Sequence, residues 1–378
     1  VKDFMFCIPA FDTLQEDITK YAAVDVEQAL KAAHLDHAGL AALLSPAAEP
    51  YLDIMAARSA QITAQRFGKT IQIYAPVYLS SFCSNRCVYC GFSADNDIDR
   101  RVLTMEEAEH EAMILHDRGF NHILLVSGEA PAKIGIEYLE ELARRLRKRF
   151  ASITIEVQPL ATDEYKRLFE AGITGVAVYQ ETYDRPTYKK VHLSGPKRDY
   201  EYRLDAPARV AMGGMREVGI GFLLGLTDWR AEGLALGYHL SWLRRQFWKT
   251  ALTISFPRMR PAEGDYIPPY PVTEKELTQL IFALRIFDHD VGLVLSTREE
   301  SRYRDGMIGL GPTRYSAGSC TAPGGYANPE LTGEQFAIGD SRPVQEVCQA
   351  IRDKNFDPVR KDWDACFQMS GEETSAKA

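Results

Sequence analysis

The chain has 378 residues, 46% of them hydrophobic and 25% charged, which suits a folded globular protein and excludes a fibre or a disordered segment. Acidic residues outnumber basic ones, 52 against 44, for a formal charge of −8, so nucleic acid is not an expected partner. The seven cysteines are odd in number and scattered; with no disulfide framework, signal peptide or membrane-length apolar run, the expectation is a reducing cytoplasm and no membrane.

Residues 1 to about 70 read as a helical extension, with apolar positions three and four apart in Val24 to Leu30 and again in Tyr51 to Phe67, and with Ser45-Pro46 starting a helix or turn between them. His34 and His37 attract no other ligand type and are expected at the surface, as are Glu109, His110, Glu111 and His116 on one helical face. The one dense basic run, Arg144 to Arg149, lies beside Leu139, Leu142 and Leu146 and reads as the solvated end of a helix.

From Ile71 the pattern alternates short apolar strands with longer helical stretches. Eight strands are expected: Ile71–Leu79, His122–Val126, Ile153–Val157, Gly175–Tyr179, Glu217–Leu224, Leu252–Phe256, Gly292–Leu295 and Arg314–Ser316. The expected fold is therefore α/β, a (β/α)8 barrel of the TIM type over residues 71–320, with the helical extension 1–70 before it. A C-terminal extension, 321–378, packs on the barrel, with a last helix over Pro343–Asp353 and a polar, frayed tail from Ser370 to Ala378. No Gly-x-Gly-x-x-Gly opens a helix, no Walker A sequence is present, and Gly219, Gly221 and Gly225 have the wrong spacing for a dinucleotide loop.

The first expected strand runs into Cys83-Ser84-Asn85-Arg86-Cys87-Val88-Tyr89-Cys90. Three thiolates this close hold zinc or three irons of a cubane cluster; structural zinc and electron-transfer [4Fe–4S] clusters take four ligands, so three leave one iron open to a ligand. Polar residues collect at the strand C-terminal ends, where barrels of this type carry their chemistry. Thr154, Glu156 and Gln158 share one face of a strand, and Val294, Ser296 and Arg298 share another. Lumen-facing charges of this kind pair with each other across strands or meet a charged ligand.

Several segments resemble one family, the 2-iminoacetate synthases, radical S-adenosylmethionine (SAM) tyrosine lyases of thiamine thiazole biosynthesis. They are Leu44 to Ala48, Tyr78-Leu79-Ser80 into Cys83–Phe92, Glu156-Val157-Gln158-Pro159-Leu160 and Tyr179-Gln180-Glu181-Thr182-Tyr183. Further along come Phe256-Pro257-Arg258-Met259-Arg260-Pro261, Leu295-Ser296-Thr297-Arg298-Glu299, Pro323-Gly324-Gly325-Tyr326 and Lys361-Asp362-Trp363-Asp364. The tyrosine lyases of [FeFe]-hydrogenase maturation resemble the chain through fewer segments and carry cysteines for a second cluster, and tryptophan lyases of antibiotic pathways resemble it less closely. A non-catalytic iron–sulfur or zinc protein is the alternative of another class.

The resemblance implies a [4Fe–4S] cluster on Cys83, Cys87 and Cys90, with SAM on the open iron and Tyr89 beside it. It implies SAM contacts from Ser127-Gly128-Glu129 to the amino group, from Glu181 to the ribose or amine, from Arg203 to the carboxylate, and from Gln158; Arg203 also fits a surface helix. The L-tyrosine carboxylate is expected on Arg298, with Ser296, Ser316 and Ser319 nearby, while Tyr74, Tyr78, Tyr179 and Glu156 are candidates for the phenol proton. An external one-electron donor and a thiazole synthase are the implied partners.

Overall fold

The computed structural model describes residues 6–264 and 266–361. Eight parallel strands form its centre: β1 Thr70–Ser80, β2 His122–Ser127, β3 Ser152–Glu156, β4 Gly175–Ala177, β5 Glu217–Gly221, β6 Ala251–Ser255, β7 Gly292–Leu295 and β8 Arg314–Ser316. Each pairs with the next, and β1 pairs with both β2 and β8, so the sheet closes into a barrel. A ninth strand that the sequence pattern did not signal, β9 Asp357–Val359, adds to the first residues of β1.

Two-residue alternation sorts each strand into two faces. Ile71, Ile73, Ala75, Val77 and Leu79 join the core under the helices, as do Ile153, Ile155 and Val157, while Tyr74, Tyr78, Leu124, Val126 and Val294 form a separate apolar cluster with Phe92. The strands β4 and β5 stop short of their expected ends. Val178 and Gln180 still donate to Gly219 and Gly221 carbonyls, but the chain then turns at Glu181, a non-glycine residue with φ of 69°.

A polar layer closes the N-terminal end of the lumen. Arg314 bonds both oxygens of Glu217, at 2.5 and 2.8 Å, and reaches Gln72, whose amide donates to His122 Nδ1 at 2.8 Å. His122 Nε2 then carries the proton toward Thr154 Oγ1 at 3.1 Å, and burial pushes this imidazole down to about 3, so it is neutral. Here the cross-strand pairing alternative holds, and it leaves the C-terminal end of the barrel open.

Helices His37–Leu44 and Leu52–Phe67 of the N-terminal region pack on the barrel helices Trp229–Gln246 and Glu274–Phe287. His34 is exposed, but His37 is half-buried and stacks on Tyr238 with centroids 3.8 Å apart. Glu111 also departs from its expected exposure: it is buried and accepts the Tyr326 and Ala327 backbone N–H groups at 3.1 and 2.7 Å, anchoring the segment after β8 to the helix Met105–Asp117. Tyr326 Oη donates to the Pro76 carbonyl at 2.8 Å. These contacts lay the chain across the barrel mouth, where Tyr78 Oη donates to Gln335 Oε1 at 2.8 Å. The last helix spans Val344–Asp353 with Pro343 as its cap. Asp362 to Asp364, Cys366 and the tail from Ser370 lie outside the described residues.

Candidate active site

The open end of the barrel holds a cavity of about 1390 Å³, its mouth included, lined by the cysteine loop, the C-terminal ends of the strands and Gln335 and Phe336. Gln158 alone of the predicted residues lies off it.

The loop after β1 is built on backbone carbonyls gathered by two side chains. Arg100 Nη1 donates to Ser81 and Phe92 carbonyls at 2.9 and 3.1 Å and its Nη2 to those of Ser93 and Asn96 at 2.6 and 3.0 Å. Asn96 Nδ2 reaches the carbonyls of Cys90 and Gly91 at 3.1 and 3.0 Å. Cys83, Cys87 and Cys90 all face the cavity, and their thiols are free of disulfides. Burial pushes the Cys87 and Cys90 thiols up, so a cation is needed to hold them as thiolates. Among the described residues no three Cys, His, Asp or Glu side chains converge on one metal ion. A mononuclear zinc site is therefore not preformed, whereas a cluster, taking one thiolate per iron, makes no such demand.

At the end of β2, Gly128 lies against the loop: a Cβ there would enter the Phe82 carbonyl and crowd Cys83 Cβ. Backbone cannot yield as a flexible side chain does. Gly128→Ala is expected to cost about 1–3 kcal/mol by overpacking, seen as a lower Tm and reduced iron content after anaerobic reconstitution.

Next to the loop sits a buried charge network. Glu129 accepts from Arg203 Nη1 at 2.8 Å and from Asn85 Nδ2 at 2.7 Å; burial opposes its ionisation, but Arg203 and Lys197 hold the carboxyl below its usual range. Arg203 is buried, not a surface helix residue, and its Nε donates to the Tyr179 carbonyl at 2.6 Å. Glu181 pairs with Lys197 Nζ at 2.7 Å and stands 3.7 Å from Arg203 Nη2. Its left-handed backbone is held by Glu232, which accepts the Tyr183 N–H at 2.9 Å and the hydroxyls of Thr182 and Thr227. Tyr89 Oη lies 2.8 Å from His192 Nε2, and His192 Nδ1 lies 2.9 Å from the Tyr188 carbonyl. A carbonyl only accepts, so Nδ1 carries the hydrogen and Tyr89 donates.

The other part of the cavity has fewer internal pairs. Arg298 stacks on Phe336 with its guanidinium carbon 3.4 Å from the ring centroid, and among the described residues no carboxylate lies within 4 Å of it. Ser319 Oγ is buried without a partner. Ser296 and Ser316 line the same wall but serve the backbone, accepting the N–H groups of Arg298 and Thr297 at 3.3 and 2.9 Å. Burial, with the nearby Glu181 charge, pushes Glu156 up to about 7, and Tyr179 and Tyr74 line the wall beside it. Gln158 instead donates to the Ile134 carbonyl at 3.0 Å. The two-residue alternation ends with β3 at Glu156, and Pro159 bends the chain beyond it.

Comparison with known proteins gives the family. A family model described as the radical SAM superfamily matches residues 77–236, and one described as the biotin and thiamin synthesis associated domain matches residues 255–357. The chain is 43% identical over 358 residues to the 2-iminoacetate synthase of Escherichia coli strain K12, covering 94% of each chain. The chain belongs to the 2-iminoacetate synthase family of radical SAM enzymes. The Salmonella typhimurium 2-iminoacetate synthase is as similar, at 43% over 94% of each chain. Among solved structures, HydG, a maturase of the [FeFe]-hydrogenase, superposes with a TM-score of 0.87 at 31% identity, covering 95% of this chain and 81% of that one.

The enzyme uses a [4Fe–4S] cluster and SAM, the cofactors of its superfamily. The donor set fits them: three free thiols lining one cavity wall, a glycine at the close approach to their loop, and carboxylates with paired cations beside it. Lys197, Asn85 and Arg100 were not singled out from the sequence. They come from loops whose only local signals are a Gly-Pro-Lys turn and a polar stretch after the cysteines.

Proposed function

We propose that this enzyme cleaves the Cα–Cβ bond of L-tyrosine, giving 2-iminoacetate and p-cresol. The observation that carries the reading is a guanidinium, Arg298, with no ion-pair partner among the described residues, sharing one cavity with a buried carboxyl, Glu156, and the cysteine loop. When bound on Cys83, Cys87 and Cys90, the cluster and SAM supply a 5′-deoxyadenosyl radical through one-electron reduction from an external donor.

The protein's part is to bind, orient and exclude water. Tyr89, locked by His192, offers a fixed ring face on the SAM side, and Glu181 and Glu129 with their cations offer polar contacts at the ends of β4 and β2. Ser127 and Gly128 leave room for them. Arg298 offers its N–H fork to the tyrosine carboxylate, with the Ser319 hydroxyl beside it. Glu156, deeper in the lumen with Tyr179, holds the phenol proton. The reading extends to a thiazole synthase that takes the short-lived imine, and to a reducing cytoplasm that keeps the thiols free.

The test is anaerobic incubation of the reconstituted enzyme with SAM, a strong reductant and either tyrosine or tryptophan. The proposal expects p-cresol and glyoxylate, the hydrolysis product of 2-iminoacetate, from tyrosine; product from tryptophan alone would overturn it.

Glu156 sets a pH dependence. With its carboxyl titrating at about 7, it accepts the phenol proton only above that pH. Turnover should therefore fall about tenfold per unit below it, and Glu156→Gln should be roughly a hundredfold slower and flat with pH. In the ligand-free enzyme the raised carboxyl gives stability that is present below the unfolded value of about 4.3 and lost as pH rises through about 7. Glu156→Gln should accordingly raise Tm at pH 8 and not at pH 4.

A further inference from the structure

Beyond β6 the chain carries two arginines, Arg258 and Arg260, and one buried carboxylate, Glu299, faces both. The two are used differently. Arg258 directs Nε and Nη2 to Glu299 and Nη1 to the Val272 carbonyl at 3.0 Å, so each of its nitrogens has a partner. Arg260 comes no nearer to Glu299 than 3.6 Å, and its Nε and Nη2 are buried with no hydrogen-bond partner among the described residues. Two guanidinium charges against one carboxylate leave a surplus positive charge in a partly buried place. Unpaired donors and uncompensated charge at such a place are costly unless a ligand completes them.

Arg260 lines the same cavity as Arg298 and the cysteine loop. It lies close to that loop through its neighbours: Asn96, which holds the Cys90 carbonyl, also donates to the Glu263 carbonyl at 3.0 Å, and Ala337 N donates to the Pro261 carbonyl at 2.9 Å, next to Phe336 under Arg298. Elsewhere around the cavity Arg203 and Lys197 are matched by Glu129 and Glu181. Arg260 and Arg298 are the two cavity-lining arginines whose donors are not consumed by the fold, and the proposed reaction brings in two α-amino-acid groups, one on SAM and one on tyrosine.

Resting on that reading, we propose that Arg260 is a second carboxylate-binding arginine of the lumen, taking one of the two α-amino-acid carboxylates while Arg298 takes the other. Glu299, through Arg258, holds the segment that carries Arg260 on the cavity wall.

The test is equilibrium dialysis of the cluster-loaded enzyme without reductant, so that nothing turns over, using four probes: L-tyrosine, tyramine, SAM and decarboxylated SAM. Arg260→Gln should weaken either tyrosine or SAM by about tenfold or more, the cost of one lost charged contact, and leave the decarboxylated counterpart of that ligand unchanged. Whichever pair responds identifies the carboxylate. Arg260→Lys, which keeps the charge but not the fork, should fall between.

Equal weakening of a ligand and its decarboxylated counterpart, or no change in any of the four, would overturn the proposal and leave Arg260 a purely structural partner of Glu299. Should Arg260→Gln fail to take up its cluster, the lysine variant decides by the same comparison. If wild-type enzyme binds no tyrosine and makes no p-cresol, the substrate reading fails, and the SAM pair still tests Arg260.

Discussion

Replacing Cys87 with alanine should abolish 5′-deoxyadenosine formation and leave the barrel folded. The thiol is buried on the cavity wall, and it is one of three. A cubane held by two thiolates loses the geometry that leaves one iron for SAM, so the loss is complete and not graded. The fold survives because nothing in the loop's own framework depends on that sulfur. Arg100 and Asn96 hold the carbonyls, Ser84 N donates to the Glu129 carbonyl at 2.9 Å, and the Val88 and Val191 backbones meet at 3.0 Å. The measurements are iron and sulfide content after anaerobic reconstitution, Tm of the apoprotein, and 5′-deoxyadenosine formed from SAM and reductant. Cys320→Ala is the matched control: its Sγ turns to the Ala322 carbonyl at 3.7 Å, and Cys320 is not among the residues lining the cavity. Deoxyadenosine from Cys87→Ala at a rate near that of the control would overturn the cluster assignment.

The barrel could be read from the chain because its strands are short apolar runs closed by polar residues. Gly292–Leu295 and Arg314–Ser316 fall where the pattern puts them. The lumen face could be read wherever the two-residue alternation persists, as from Val294 through Ser296 to Arg298, all turned inward. It misled at Gln158, one step past the end of β3, where the alternation no longer applies. The cysteine triplet is a local signal and needs no partner to be noticed.

Long-range pairing is what the sequence hides. Nothing local tells that Arg203 is buried against Glu129, 74 positions away, or that Glu111 caps a turn 215 positions on. Lys197 enters the site from a short 3-10 turn whose residues resemble any surface loop. The polar layer below the site, from Gln72 to Arg314, combines residues from five strands, so the pairing partners of Thr154 and Glu217 become visible only once the barrel closes.

Removing the Arg298 guanidinium should give the largest effect on the substrate side. Its carboxylate ligand would come from solution and not from the fold, since no acidic partner lies within 4 Å among the described residues. Truncating one member of a desolvated charge pair costs about 2–5 kcal/mol. At tenfold per 1.4 kcal/mol, Arg298→Ala should lower kcat/KM for tyrosine by about a thousandfold. SAM binding should stay near wild type, and deoxyadenosine should form without matching p-cresol. Arg298→Lys keeps the charge but not the planar fork or its stacking on Phe336, so it should raise KM for tyrosine by roughly tenfold with a smaller change in kcat. Steady-state kinetics on both substrates, with deoxyadenosine and p-cresol counted together, separate these outcomes. Ordinary tyrosine kinetics in Arg298→Lys would place the carboxylate elsewhere. The dialysis result for Arg260 then becomes decisive, because a tyrosine carboxylate that does not need the Arg298 fork has in Arg260 the other unconsumed guanidinium on the cavity wall.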